Sequence, residues 1–343
     1  MSLQCTDKAG IQYSEALWVA LSHRGDRIKQ NMENVFNTST SFILLGIEEM
    51  EHYKYLYCGF ALVTYLLILL FSSLIISVVL LEESLHEPMY TLIANLMLNG
   101  IFGASCFLPK LILDLFLSTK VISRDACFIQ SFSVTLFALC EISTFTIMAY
   151  DTYLAVCHPL HYPTLMTNKT ALKLIVGFLI FNITCLLINS LLSARLPLCG
   201  FYINNFFCDN VSIFILSCVD NSINKLYSAT VFAIYILASM SIIAYSYVRL
   251  LLICFKISKS ASKKAIHTLV THFSNFSIFL VGVLFIFIRY RLENINLPLV
   301  FHILLSITGS TIPPFFNPLI YGIRTKTLKI KVISHFQKII VEK

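Results

Sequence analysis

The stretch YLYCGFALVTYLLILLFSSLIISVVLL, Tyr55 to Leu81, holds no Asp, Glu, Lys or Arg. It is apolar on every side, as Tyr65 to Leu70 shows, so neither a helix with one wet face nor an alternating strand describes it. Hydrocarbon about 30 Å thick is crossed by roughly 20 residues of helix, and lipid offers the backbone no hydrogen-bond partner, so this stretch reads as a spanning helix. Six more follow: Pro88 to Pro109, Ala126 to Tyr150, Leu174 to Ala194, Leu226 to Val248, Ala265 to Ile288 and Leu297 to Ile323. Together the seven contain one charged side chain, Glu141. The whole chain of 343 residues is 57% hydrophobic and 13% charged, against about 25% charged in an ordinary soluble domain. A water-soluble globule is excluded. A β-barrel would alternate over segments of about ten residues, and Ile278 to Ile288 is apolar throughout. The expected fold is all-α, a bundle of seven transmembrane helices.

Seven spans place the chain ends on opposite sides. With the N-terminus outside, more Lys and Arg, Lys263 and Lys264 among them, fall near the inner ends of the spans than near the outer ends. The positive-inside rule therefore favours an extracellular N-terminus. The formal charge of +7 is largely this topology signal and gives no support to nucleic-acid binding. The expected division is an extracellular segment 1–54, a receptor domain 55–323 and a cytoplasmic tail 324–343. Residues 1–31 hold no apolar run long enough for a signal peptide, so the first span is expected to act as the anchor. Translation from Met32 is the alternative, because the acceptor pattern Asn37-Thr38-Ser39 lies just beyond it. Beyond the last span, Leu328, Ile330, Val332, Ile333 and Phe336 interleave with Lys326, Lys329, Lys331 and Lys338. That pattern predicts a short amphipathic helix on the inner leaflet.

The eleven cysteines sort by depth. Cys58, Cys106, Cys140 and Cys185 lie within spans, where cysteine behaves as a small hydrophobe. Cys127 opens the third span from outside, and Cys199, Cys208 and Cys218 fall in the long loop after the fourth. An even number of cysteines in an oxidising exterior predicts two disulfides with three possible connectivities. The same loop carries Phe201, Tyr202, Phe206, Phe207, Phe214 and Leu216, too much apolar surface to stay splayed in water, so it is expected to fold as a lid over the bundle mouth.

Glu141 is costly at its depth and must be protonated, paired or bound to a cation, with Asn95, Asn99 and Asn317 as candidate neighbours. Pro318 removes a backbone hydrogen bond in the last span and is expected to loosen that helix beside Asn317. His158 and His161 lack a third ligand, no carboxylate stands beside His267 or His272 in the manner of a metalloprotease, and no Ser/His/Asp set or phosphate-cradling glycine loop appears. No metal, cofactor or enzymatic activity is expected. One intramembrane charge and no repeat symmetry serve a transporter or channel poorly.

Several motifs occur in order along these spans: Leu85-His86-Glu87-Pro88-Met89-Tyr90 entering span two, Met148-Ala149-Tyr150-Asp151-Thr152-Tyr153-Leu154-Ala155-Val156-Cys157 ending span three, Ser246-Tyr247 closing span five, Lys264-Ala265 with Thr268 and His272 opening span six, and Asn317-Pro318-Leu319-Ile320-Tyr321 ending span seven. From about Met32 to Lys331 the chain resembles the olfactory receptor branch of the rhodopsin-like, G-protein-coupled receptor family. The acidic stretch Glu82 to Glu87 and Asn99-Gly100 look most like its fish-type members.

The resemblance implies a plasma-membrane receptor that binds a small odorant in the outer half of the bundle and activates a stimulatory heterotrimeric G protein. It implies the pairs Cys127 with Cys208 and Cys199 with Cys218, and glycosylation of Asn37. Asp151, Thr152 and Tyr153, with Lys263 and Lys264, would face the G protein. Tyr321 would join Asn95, Asn99, Glu141, Asn317 and Pro318 in the polar switch region. Val134, Thr135 and Ala138, outward of Glu141, with Phe279 and Val283 opposite, are the expected pocket residues. The family's usual Asp-Arg-Tyr is Asp151-Thr152-Tyr153 here: either coupling persists through the basic loop Lys256 to Lys264, or the receptor signals weakly. Ser72-Ser73 stands where the family has Gly-Asn, which would weaken a network between spans one, two and seven. A non-sensory rhodopsin-like receptor is the alternative, although an amine receptor would carry an aspartate where this chain has Val134.

Overall fold

The computed structural model describes residues 41–255, 266, 269–270, 273–284 and 299–341. Its helices are α1 (Lys54–Leu81), α2 (Pro88–Leu117), α3 (Arg124–Cys157), α4 (Asn168–Ala194), α5 (Ser222–Cys254), α6 (Phe273–Leu284, the described part of the sixth span), α7 (Leu299–Arg324) and α8 (Lys326–Val341). The first five are each long and apolar enough to cross a membrane. The bundle is mostly helical, as the sequence leads one to expect.

Local chemistry sets where these helices begin. Pro88 starts α2, where its missing N–H would have had no partner. Ser123 Oγ accepts from the Ala126 N–H at 3.3 Å to start α3, and Thr167 Oγ1 caps α4 by accepting from Thr170 N–H at 3.2 Å. Charge-free stretches underestimate the helices themselves. α2 runs past Pro109 to Leu117, because Lys110 and Asp114 pair one turn apart on the same face and Asp114 is buried. α3 extends through Asp151 to Cys157.

α3 is the central rod, packed against α2, α4 and α5, while α7 packs on α1 and α2. Its lower half is buried almost continuously from Glu141 to Asp151. Leu56, Phe60, Leu66 and Leu70 on α1 and Leu226, Ile234 and Leu237 on α5 face outward, as apolar groups do when the surrounding solvent is lipid. Two glycines let α6 and α7 meet: a Cβ on Gly282 would lie 2.7 Å from the Cα of Gly309.

One end of the bundle carries a feature the helical pattern did not foreshadow. Ser41–Leu44 (β1) pairs antiparallel with Val121–Ser123 (β2) and parallel with Tyr202–Ile203 (β3), a three-stranded sheet in the order β2-β1-β3. Phe42, Leu44, Ile47 and Met50 are buried beneath it. Gly46 is needed here, since an added Cβ would sit 2.6 Å from the backbone carbon of Asn205. Lys120 pairs with Glu51 at 2.7 Å, and that hydrogen bond raises the pKa of Lys120. We call this the lid end.

At the opposite end, the tail end, α8 turns back along the bundle with Leu328 fully buried. Lys331 Nζ reaches Glu82 at 2.6 Å, so the acidic loop after α1 supplies the partner for a basic helix. Ile330 and Ile333 on α8 remain exposed.

Candidate functional site

Two disulfides close the lid, Cys127–Cys208 and Cys199–Cys218, each with a Cα–Cα distance of 5.3 Å. The first fixes the loop to the start of α3, and Gln130 reinforces it by accepting from the Cys208 N–H at 2.8 Å. Phe206 and Phe207 are buried there, their rings 6.2 and 5.9 Å from that of Phe107. The short helix Asn210–Ile215 hangs from this anchor, capped by Asp209, whose carboxylate accepts from the Ser212 N–H at 2.9 Å and the Ser212 hydroxyl at 2.7 Å.

Beneath the lid lies a cavity of about 160 Å³. Val134, Thr135, Ala138, Phe279 and Val283 all line it. Spacing along α3 puts the first three on one face, and Phe279 and Val283 are one turn apart on α6. The remaining wall comes from Asn189 on α4, Phe207, Asp209, Asn210 and Val211 of the lid, Ser228 and Phe232 on α5, and Gly309 and Ser310 on α7. The lid contributors were not foreseen, because a loop's contacts depend on which cysteines pair, and Asn189 was not foreseen because α4 has no periodic polar face to single it out. Thr135 donates its hydroxyl to the Ser131 carbonyl at 2.8 Å, so it presents mainly its methyl group to the space.

A larger cleft of about 350 Å³ lies between α2, α3 and α4, lined by Asn95, Leu98, Phe102, Cys140, Ser143, Thr144, Ile175 and Leu179. Leu98 on its wall is 60% exposed, so this cleft opens sideways toward lipid. The lid cavity is the better-shaped compartment for a small ligand, concave, mostly apolar and edged by a few polar groups.

Below the cavity, Glu141 is fully buried. Asn99 Nδ2 donates to its Oε2 at 2.7 Å and Asn317 Nδ2 to its Oε1 at 2.6 Å. Asn99 also donates to the Phe137 carbonyl at 3.1 Å. Both carboxyl oxygens thus join α2, α3 and α7 at one point, with Pro318 adjacent on α7. Asn95 is not part of this node. It sits one turn toward the tail end and donates instead to Thr144 Oγ1 at 2.9 Å. Ser72 is buried with its hydroxyl unpartnered among the described residues, so α1 adds nothing there. A second polar tie had no signature in the sequence: Asn182 Nδ2 on α4 donates to Ser143 Oγ at 3.1 Å, and the Tyr235 hydroxyl on α5 donates to the Leu139 carbonyl at 3.1 Å.

At the tail end Asp151 and Thr152 are buried rather than displayed on the surface. Asp151 accepts from the Tyr162 hydroxyl at 2.9 Å. Burial, then the Asp151 carboxylate, pushes the Tyr162 pKa up, so Tyr162 stays a donor. The Thr152 hydroxyl turns back on its own helix and donates to the Met148 carbonyl at 2.8 Å. The Tyr153 hydroxyl is hydrogen-bonded to His158 at 3.1 Å, and its ring lies 5.7 Å from that of Tyr245. Tyr321 is buried, its hydroxyl 4.0 Å from Met148 Sδ. Lys263, Lys264 and Asn37 lie outside the described residues.

The comparisons agree with this architecture. A family described as olfactory receptor matches residues 60–343. Human "Olfactory receptor 6N1" is 32% identical over 87% of this chain and 95% of its own length. Human "Olfactory receptor 56A4" is 35% identical over 75% of this chain and 82% of its own. Mouse "Olfactory receptor 4E2" is 32% identical over 84% of this chain and 93% of its own. A bundle of membrane-length helices, a disulfide-closed lid over a small cavity and a match over most of the chain establish that the chain belongs to the olfactory receptor family, whose members are G-protein-coupled receptors and not enzymes.

Proposed function

We propose that this chain binds a small, largely apolar odorant in the lid cavity and signals through a stimulatory, cAMP-raising heterotrimeric G protein. The observation that carries the reading is the convergence of α3, α4, α5, α6, α7 and the lid on one mainly apolar space, beside the Glu141 node that ties α2, α3 and α7. A ligand filling that space presses on helices whose relative positions the node fixes.

On this reading the lid end is extracellular and the tail end cytoplasmic, in line with the Lys and Arg distribution. Residues 1–54 form the extracellular segment, 55–323 the receptor domain and 324–343 the cytoplasmic tail, with Asn37 glycosylated and α8 resting on membrane lipid. Asp151, Thr152, Tyr153, Lys263 and Lys264 form the G-protein-facing end. Thr152 weakens coupling, because its hydroxyl bonds only its own helix where an arginine would reach a partner. The acidic loop Glu82 to Glu87 and Asn99-Gly100 support a fish-type member of the family.

Expression in cells with a stimulatory G protein and a cAMP reporter, challenged with a broad odorant panel, tests the reading. A concentration-dependent rise to some odorants, lost when the G protein is removed, is expected. Silence to every odorant at normal surface abundance, even with Thr152→Arg, would overturn it.

A further inference from the structure

Resting on the reading that the lid end is extracellular, we propose that Asn210 is a glycan acceptor that lid closure shuts off, so that a sugar there marks a chain whose lid has not folded. Asn210-Val211-Ser212 matches the Asn-x-Ser/Thr acceptor pattern. Other matches start at Asn37, Asn168, Asn182 and Asn275. Asn182 lies mid-way along α4 and Asn275 in α6, within the bilayer, and Asn168 begins α4 at the tail end. On that reading only Asn37 and Asn210 stand on the side where sugars are added.

The folded lid withholds Asn210 in two ways. Its Nδ2, the atom that would carry the sugar, is shut off from solvent and has no hydrogen-bond partner among the described residues, while its Oδ1 accepts from the Ser193 hydroxyl at 3.1 Å. The residue borders the lid cavity of about 160 Å³, far too small for an oligosaccharide. The backbone is the second obstacle. Asn210–Ile215 is helical, and the Asp209 carboxylate that caps it already holds both the Ser212 N–H and the Ser212 hydroxyl. That hydroxyl is the part of the acceptor pattern that a transferring enzyme must reach.

Before the lid closes neither obstacle exists. Transfer joins Asn210 Nδ2 to C1 of the first sugar and breaks the bond between that carbon and a phosphate oxygen of a lipid pyrophosphate donor. The lipid pyrophosphate leaves, and the amide gives up one proton. The Cys127–Cys208 bond decides whether closure comes first, since Cys208 precedes Asn210 by two residues and is buried with Phe206 and Phe207. A sugar attached earlier cannot follow Nδ2 into the folded lid, because its hydroxyls would lose water without gaining partners. Closure and modification therefore exclude each other.

The test uses the full-length receptor in cultured animal cells, with surface and internal fractions separated by cell-surface biotinylation. Digestion with peptide N-glycosidase in heavy-oxygen water leaves a labelled Asp wherever a sugar stood, so mass spectrometry reads each site directly. In the surface fraction of the parent, Asn37 is expected to be modified and Asn210 unmodified. Cys127→Ser, a change on α3 that leaves the acceptor triplet intact, should raise Asn210 occupancy at least about tenfold, because losing a bridge across 81 residues shifts lid opening by more than a decade. Synthesis of the parent in dithiothreitol should do the same. Adding Ser212→Ala to Cys127→Ser should remove that sugar and spare the one on Asn37. A sugar on Asn210 in the parent's surface fraction, or none on Asn210 in either unbridged sample, overturns the proposal, and with Asn37 modified it leaves the orientation standing. A sugar on Asn168 would reverse the orientation and remove the proposal together with the reading beneath it.

Discussion

Asn317 on α7 donates to Glu141 Oε1 at 2.6 Å, across 176 residues of chain, in a place where neither side chain meets solvent. The opposite oxygen takes its bond from Asn99 on α2. Two consecutive helices and a third far along the chain are thereby joined through one carboxyl group, beside the proline that loosens α7. Only an acid, or a side chain of its shape, supplies two acceptors at that point.

Replacing Glu141 with Leu strands two buried amide donors, each worth about 1–3 kcal/mol when unfilled. The thermal midpoint of the purified receptor should fall by several degrees in Glu141→Leu and by less in Glu141→Gln, which keeps one acceptor. Equal midpoints for Glu141→Leu and the parent would show that the node carries no stability.

The position after Asp151 has a separate consequence. Thr152→Arg replaces a hydroxyl spent on the Met148 carbonyl with a cation beside a buried aspartate already bonded by Tyr162. The expected outcome is an odorant-driven cAMP response raised by about tenfold, equivalent to ~1.4 kcal/mol. A parent that responds normally to the panel, with no gain in the variant, would mean this position does not limit coupling.

Both lid disulfides should stabilise the receptor, and unequally. The Cys127–Cys208 bridge closes 81 residues and Cys199–Cys218 only 19, a chain-entropy difference of about 1 kcal/mol. Cys208→Ser should therefore lower surface abundance and thermal midpoint more than Cys218→Ser. The reverse order in a surface-labelling assay would place the tighter constraint within the loop itself.

Much of this was legible in the residues. The absence of charge over Tyr55 to Leu81 and its six counterparts is a statement about solvent, which acts on every side of a helix, so the spans emerge without tertiary information. Glu141 stood out for the same reason. Asn95 shows the limit: it lies four residues from Asn99 on α2, yet four residues correspond to about 6 Å of rise, enough to move it from the node to Thr144. α2 runs beyond its charge-free stretch because a charged residue paired within its own helix, as Lys110 is with Asp114, does not end that helix. The β1 strand was invisible because Ser41 to Leu44 has no partner until the loop strands from Val121 and Tyr202 are brought alongside. Asn210 could not be recognised as a cavity residue before the lid's cysteines were paired.

That strand gives a fourth expectation. Gly46→Val would drive a side chain into the backbone of Asn205 and Phe206, parting the N-terminal strand from the lid. Limited proteolysis should then cut the Ser41–Leu44 region faster in Gly46→Val than in the parent, by about tenfold if opening becomes 1.4 kcal/mol easier. Unchanged cleavage would show that the N-terminal segment does not need the close approach.

The claim on which all of this depends is that odorants act from inside the cavity beneath the lid, and filling that space tests it most directly. Ala138 lines the cavity opposite Phe279 and Val283, so Ala138→Phe occupies the volume a ligand would take while leaving the Glu141 node untouched. At matched surface abundance, Ala138→Phe is expected to lose at least about tenfold in sensitivity to every odorant that activates the parent. An unaltered dose–response across the panel would place the odorant somewhere else on the receptor.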